Sequence, residues 1–196
     1  MNLPEDIIEK GNKAKSEMES QGYSEDDSFR PQELLTFNKH ANMQFKMYKD
    51  DNRDSSTHIR QYSKDLKLSF KYKGIPRTLL SKTIGFVPQG SFHEDGWSGI
   101  VQFFQVKNIG TCAYAHRDVK ASHTAANLAM EDVTYEVNDK ATLKTVKGNN
   151  EHGFIYKIKW YDDIAFHELE CAKMTYSYEI TAAVISLANE IDNFQG

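Results

Sequence analysis

The stretch 154–160 alternates between apolar and charged side chains, and this alternation constrains the fold more than any other feature of the chain. Its even-numbered positions are all aromatic or aliphatic: Phe154, Tyr156, Ile158 and Trp160. Lys157 and Lys159 stand between them. Successive side chains of a β-strand point to opposite faces, so the pattern predicts a strand with one buried and one solvated face. Sheets built from such strands are typically antiparallel.

Similar segments follow one another over residues 97–171, and we interpret this region as a β-meander. A slip of one residue would turn every side chain of a strand to the other face, so the loop lengths must keep the apolar faces continuous. This criterion favours a three-residue loop at 138–140. It also favours a six-residue loop at 148–153, which places Leu143 opposite Ile158.

The same parity criterion predicts where the cysteines and one histidine point. A two-residue turn at 162–163 directs His167 and Cys171 to the core. The connection before Cys112 admits two registers. In the shorter one Cys112 lies opposite Phe103, which is also an apolar setting.

Apolar residues at helical spacing occur at both ends of the chain. Residues 4–20 predict a helix with a thin apolar stripe, a second helix begins at Pro31, and a third is expected near 119–130. The last helix is the most clearly amphipathic, and Ser177 is its predicted N-cap. Its apolar residues repeat at spacings of four, three, four and three: Ile180, Val184, Leu187, Ile191 and Phe194.

These elements together predict an α+β fold with a mostly antiparallel β-meander sheet of six to eight strands. Further strands are expected near 65–72 and 82–87. The long C-terminal amphipathic helix and the N-terminal helix from Pro31 are expected to pack on one face of the sheet. For domain organisation we expect a helical arm and flexible linker in residues 1–30, followed by a single α+β domain in residues 31–196.

The chain has two cysteines, Cys112 and Cys171. Neither belongs to a Cys-x-x-Cys pair, so a zinc site or a redox motif is not expected. A disulfide between them would close a loop of about 60 residues and stabilise the fold by about 4 kcal/mol. We favour this disulfide over two buried free thiols. Disulfides persist in oxidising compartments, which predicts a periplasmic or secreted protein, with a cytoplasmic protein as the alternative.

Composition and motifs exclude several classes of function. The net charge is −4, and the 24 basic residues are interspersed with 28 acidic ones, so no basic stripe is present to bind nucleic acid. No apolar run is close to the length of about 20 residues that a membrane-spanning helix needs. The fingerprints of P-loop, dinucleotide-binding and serine hydrolase proteins are absent, and no cofactor is predicted. The expected partner is another protein or a small ligand.

The candidate binding residues cluster on one predicted loop: His93, Glu94, Asp95 and Trp97. Loops carry binding residues more often than strands do, which is why these four are singled out. His93, His116 and His123 are candidate metal ligands, although their spacing matches no metal template. No catalytic residue is predicted. A solvated turn would explain the residues 93–95 without a function.

Three functions are compatible with the sequence. The first is a non-enzymatic binding or accessory domain of an exported or cell-envelope bacterial protein, stapled by the disulfide. The second is a metal-binding protein or metal-assisted hydrolase that uses the loop histidines. The third is a cytosolic protein with a pocket for an apolar ligand between the sheet and the C-terminal helix. A deep polar cleft with converging ionisable groups would count against the first.

Overall fold

The computed structural model describes residues 4–122 and 132–196. Its α-helices are α1 (Glu5–Gln21), α2 (Arg30–Met47), α3 (Val119–Ser122) and α4 (Tyr178–Asn193). Its strands are β1 (Ser24–Glu25), β2 (Lys82–His93), β3 (Gly96–Val106), β4 (Gly110–Asp118), β5 (Thr134–Val137), β6 (Lys140–Asn149), β7 (Gly153–Tyr161) and β8 (Ala165–Lys173). Most of the helix predicted near 119–130 lies outside the described residues.

The strands form one sheet in the order β6–β7–β8–β4–β3–β2, and the other edge of β6 pairs with β5 and with β1. The pairing of β1 with β6 is parallel, and every other strand pairing that the structure describes is antiparallel. The predicted α+β class is therefore confirmed. The chain does not run as one continuous meander, however, because β2–β3–β4 and β5–β6–β7–β8 are separate meanders joined where β4 pairs with β8. The strand predicted near 65–72 is reduced to one bridge, between Leu68 and Trp97.

Helices α2 and α4 pack on opposite faces of the sheet. Leu187 of α4 lies in the same buried cluster as Tyr156, whereas Leu34 of α2 lies in the cluster of Ile155. Ile155 and Tyr156 are consecutive residues of β7, so their side chains point to opposite faces. The expectation that both helices share one face is therefore wrong. An amphipathic stripe shows that a helix has a buried side, but it does not say which face of a sheet the helix covers.

The space between α4 and the sheet is filled by side chains. The residues that are at most 1% exposed in this layer include Val184, Ala188, Tyr156, Ile158, Trp160 and Leu169. They occupy the region in which the third hypothesis places an apolar ligand. The helix begins as predicted, because the backbone N–H of Ile180 donates a hydrogen bond of 3.2 Å to Oγ of Ser177.

The turn between β5 and β6 is shorter than predicted. Val137 lies opposite Lys140, so Asn138 and Asp139 alone form the turn, and the three-residue loop is wrong. Both turn residues have positive φ, at 44° and 60°, as a two-residue turn that matches the strand twist requires. The prediction assumed one regular register for the whole of β5. The register shifts between Thr134 and Val137, and a bulge of this kind exchanges the two faces within one strand.

The registers on either side of β7 also differ from the prediction. Tyr161 lies opposite Phe166, which displaces β8 by two residues, and an even displacement leaves the faces unchanged. The burial of His167 and Cys171 is therefore confirmed. The displacement between β6 and β7 is odd, so Leu143 lies opposite Lys159 and points to the face that α2 covers.

Helix α1 is an arm that is fixed to the domain at its C-terminal end. None of its residues is buried, and Ile7 and Ile8 are 50% and 47% exposed. Met18 packs against the core on the α4 face, and Gly22 ends the helix with a φ of 85°. In the predicted linker, β1 is paired with β6, while the domain division at residue 30 remains a prediction. Within the described ranges, no helix has both the length and the apolar character needed to cross a membrane.

Candidate ligand-binding cleft

Cys112 and Cys171 form a disulfide in the middle of the sheet. They are directly opposite on β4 and β8, and both are completely buried. On its other side Cys112 lies opposite Phe104, so the shorter of the two registers left open, which would place it opposite Phe103, is not the one formed. The chain has two cysteines in all, so no thiol remains as a nucleophile or a metal ligand in this state.

A cleft of about 340 Å³ opens on the α4 face of the sheet, and we call it the polar cleft. Five parts of the chain line it: the segment 70–74, the end of β4, the start of β6, the turn from β7 into β8 with the start of β8, and the C-terminal end of α4 with the residues after it. Ionisable side chains converge on its floor from these elements. They include Tyr114, His116, Lys140, Asp162, His167 and Asp192, and Lys71, Lys73 and Asp118 also line the cleft.

Lys140 joins two carboxylates at the floor of the cleft. Its Nζ lies 2.6 Å from Oδ1 of Asp192 and 3.4 Å from Oδ2 of Asp162. The indole N–H of Trp160 also donates to Oδ1 of Asp192, at 2.9 Å. Burial alone would raise the pKa of Asp192, but hydrogen bonds from Lys140, Asn138 and Trp160 lower it. Asp192 therefore stays ionised beside Lys140 across the physiological pH range.

His167 connects Asp162 to Tyr114. Its Nε2 is 3.3 Å from Oδ2 of Asp162, and its Nδ1 is 2.8 Å from the hydroxyl of Tyr114. Burial raises the pKa of Tyr114, so the hydroxyl keeps its proton. It donates a hydrogen bond to Nδ1 in the tautomer of His167 whose Nε2–H faces Asp162. Burial would also raise the pKa of Asp162, but the hydrogen bond from His167 and two backbone N–H groups lower it. Both ring nitrogens of His167 are thus engaged inside the protein.

His116 is the histidine that the cleft presents to a ligand. Its ring stacks on Phe70 with centroids 4.8 Å apart, and its edge contacts Tyr72 and His167. Burial, followed by the neighbouring His167, lowers the pKa of His116 to about 4, so the imidazole is neutral at pH 7. Its ring nitrogens make no hydrogen bond to any residue in the described ranges. A neutral imidazole offers one donor and one acceptor to a bound molecule.

Three groups in the cleft have the arrangement of possible metal ligands. One ligand atom from each of Asp162, His167 and Asp192 lies within 4.8 Å of the others. The ammonium of Lys140 already lies against both carboxylates, where a cation would be expected, and His167 has no free nitrogen. Asp162, His167 and Asp192 are suited to hold a cation, and the ammonium group of Lys140 occupies that position.

The predicted loop residues lie at other places. His93, Glu94 and Asp95 line a separate, open cleft, and Nε2 of His93 is 3.0 Å from Oγ of Ser91. Trp97 is only 7% exposed, and its indole N–H donates to the carbonyl of Asp54 at 2.9 Å. Its ring is therefore part of the core.

The candidate metal ligands are not brought together by the part of the chain that the structure describes. His93 and His116 line different clefts, and His123 lies outside the described residues. Sequence reasoning missed Lys140, Asp162 and Asp192, which it treated as turn or helix residues. One signal was available in Trp160, because a buried indole N–H usually has a hydrogen-bond partner.

The cleft thus combines a fixed polar floor with aromatic walls, which is typical of sites that bind small molecules. Comparison with known proteins supplies no template, since no family model, curated protein or solved structure matches the chain. The function is therefore inferred from the residues of the cleft and from the disulfide.

Proposed function

We propose that this chain is a non-enzymatic binding domain of an exported or cell-envelope protein, and that it binds a small polar ligand in the polar cleft. The convergence of ionisable groups in the cleft counts against a non-enzymatic domain, and the observation that nevertheless favours binding is that the groups at the floor pair with one another. Lys140, Asp162, His167 and Asp192 each contact another of these side chains. Groups that hold one another give a binding site a fixed shape.

The chemistry of the ligand follows from the parts of the cleft that remain available. His116 offers a neutral donor and acceptor, and Phe70 and Tyr72 offer ring surfaces beside it. The hydroxyl of Tyr72 donates to Oε1 of Gln102 at 2.8 Å, so this wall is held in position. A compact molecule with hydroxyl or amide groups and one flat face suits these surfaces.

The disulfide supports the exported location. Both cysteines of the chain are used in it, and it lies where the two meanders meet. Such bonds are kept in oxidising compartments and are reduced in the cytosol of most organisms. A cytosolic protein would be expected to carry the same residues as free thiols.

Native mass spectrometry tests the binding proposal. Wild-type protein and His116→Phe are recovered from the native cells under identical mild conditions. We expect the wild type to retain a small-molecule adduct that the variant has lost, because phenylalanine fills the same space without a donor or acceptor. Ser186→Ala, on the exposed side of α4, is the control and should keep the adduct. Equal adduct levels in all three proteins would place the ligand elsewhere.

Thiol labelling tests the location independently. Native cells are lysed in alkylating reagent, and the protein is labelled again after denaturation and reduction. An exported protein should have two thiols that react only after reduction, at the mass of the monomer. Labelling of both thiols at lysis would contradict export, whatever the outcome of the binding experiment.

A further inference from the structure

The polar cleft is also lined by charged side chains that the pairing at its floor does not use. Lys73 and Asp118 both line it, and neither forms an ion pair with any residue in the described ranges. Nζ of Lys73 donates to the amide oxygen of Gln195 at 3.3 Å, which is an uncharged partner. Oδ1 of Asp118 accepts from the backbone N–H of Ala121 at 2.8 Å, which orients the carboxylate and leaves Oδ2 available to a ligand.

The segment 70–74 packs along β4 and runs antiparallel to it. The ring of Phe70 stacks on His116, at a centroid distance of 4.8 Å. The ring of Tyr72, two residues further along the segment, contacts that of Tyr114, two residues earlier on β4. Increasing residue numbers in the segment therefore correspond to decreasing residue numbers on β4.

This direction places the two unused charges at opposite ends of the cleft. Lys73 comes after the residue that contacts Tyr114, whereas Asp118 lies beyond His116 at the end of β4. Tyr114 and Asp118 are four residues apart on the strand, which corresponds to about 13 Å. His116 lies midway between them. The cleft thus presents a cation at one end, a carboxylate at the other and a histidine between them.

The side chain at the centre suits a peptide group. The imidazole of His116 is neutral at pH 7 and offers one donor and one acceptor. A peptide group offers one N–H donor and one carbonyl acceptor, so the two are complementary. Phe70 and Ile164 line the cleft as well, and Ile164 is 68% exposed, so apolar surface is available for the side chains of a peptide.

We infer that the ligand of the polar cleft is a peptide of two or three residues, with its terminal ammonium at Asp118, its terminal carboxylate at Lys73 and a peptide group at His116. This inference rests on the proposed function and names its class of ligand. Three extended residues span about 10 Å, and the two charged side chains reach over the remaining distance. A sugar or an uncharged amide would leave both charges without a partner of opposite sign.

Isothermal titration calorimetry with the tripeptide Ala-Phe-Ala at pH 7 tests this inference. The same tripeptide acetylated at its amino end, or amidated at its carboxyl end, is the matched control. We expect each block to weaken binding at least about tenfold, equivalent to about 1.4 kcal/mol, because it removes one charge-assisted contact. No binding of Ala-Phe-Ala, or equal affinities for blocked and unblocked peptides, would overturn the inference.

Variants assign each end of the peptide. Asp118→Asn should weaken binding of Ala-Phe-Ala about tenfold and abolish the effect of acetylation, because the contact to the ammonium is already lost. Lys73→Met should abolish the effect of amidation in the same way. Asp50→Asn and Lys49→Met are the matched controls, since both residues are exposed and follow α2, which covers the opposite face of the sheet. Equal losses in the cleft variants and the controls would refute the assignment.

Native mass spectrometry separates this inference from the proposed function. A wild-type adduct that His116→Phe has lost, but whose mass is not that of a dipeptide or tripeptide, would retain the binding domain and overturn the peptide. Equal adduct levels in the two proteins, together with no binding of Ala-Phe-Ala, would overturn both.

Discussion

Lys140 at the start of β6 lies 2.6 Å from Asp192 near the end of α4, and this ion pair fastens the last helix to the sheet. The side chain of Asp192 is only 6% exposed, whereas that of Lys140 is 29% exposed. Burial lowers the pKa of Lys140, but hydrogen bonding to Asp192 raises it above its usual value. The ammonium therefore remains charged wherever the carboxylate is ionised.

Lys140→Met should destabilise the protein, because it leaves Asp192 buried without its cation. We expect a loss of about 2 kcal/mol in the free energy of unfolding, less than for a fully buried pair because Lys140 is partly solvated. Urea titration at pH 7 measures it. Lys144→Met is the control, since Lys144 has the same exposure but pairs with the more exposed Glu136. Equal losses in the two variants would contradict this account.

Lys140→Ala should create a zinc site. The substitution removes the ammonium from between Asp162 and Asp192, and zinc can then displace the proton between Nε2 of His167 and Asp162, so that two carboxylates and this nitrogen become ligands. Zinc binds such oxygen and nitrogen ligands. Calorimetry should show binding of one zinc ion to the variant and none at this site in the wild type. Equal zinc binding by both proteins would mean that Lys140 does not block the metal.

The low pKa of His116 predicts that the stability of the protein decreases as the pH is lowered from 6.5 to about 4. The unfolded chain takes up a proton near pH 6.5, whereas the folded protein does so only near pH 4. Between these values the unfolded state binds more protons, so stability decreases as the pH is lowered, by about 3 kcal/mol in total. His116→Asn should remove this part of the dependence between pH 6.5 and 4 in urea titrations. Parallel curves for both proteins would refute the shift.

Removing the disulfide should cost about 4 kcal/mol in the free energy of unfolding, as expected from closure of its loop. The double variant Cys112→Ala, Cys171→Ala tests this in urea. Fully reduced wild-type protein should show a similar loss, which separates the bond from the effect of the smaller side chains. A loss below about 1 kcal/mol in both samples would show that the cross-link contributes little.

Ser177→Ala should lower the free energy of unfolding by about 1 kcal/mol, because the N–H of Ile180 loses its cap. Ser186→Ala, in the middle of the same helix on its exposed side, should be neutral or slightly stabilising. Thermal unfolding of the two variants side by side checks the difference. No difference between them would mean that the cap is replaced by solvent.

The sequence predicted the elements of this fold better than their arrangement. Alternation along β7 identified its buried side, and His167 kept its predicted face because the register error was an even number of residues. Asn138 and Asp139 were assigned to a longer loop because parity takes no account of a bulge. The faces covered by α2 and α4 depend on how the helices connect to the sheet, which no single stripe encodes.

The residues that meet in the polar cleft were not predicted together, for a related reason. Asp162 lies in a turn, Lys140 begins a strand and Asp192 lies near the end of a helix, so no local spacing links them. Their proximity depends on pairings between distant segments. The sequence analysis selected His93, Glu94 and Asp95 because they are adjacent polar residues. Adjacent polar residues are also common in a solvated turn.

The disulfide between β4 and β8 also has a consequence for how the chain reaches its folded state. Its cysteines are 59 residues apart, and the strands that carry them pair along their whole length. The centre of the sheet therefore cannot close until β8 has been synthesised and has emerged from the ribosome. Contacts between such distant segments make folding slow. The rate at which the two thiols are oxidised to the disulfide therefore reports the rate at which β4 and β8 pair during folding.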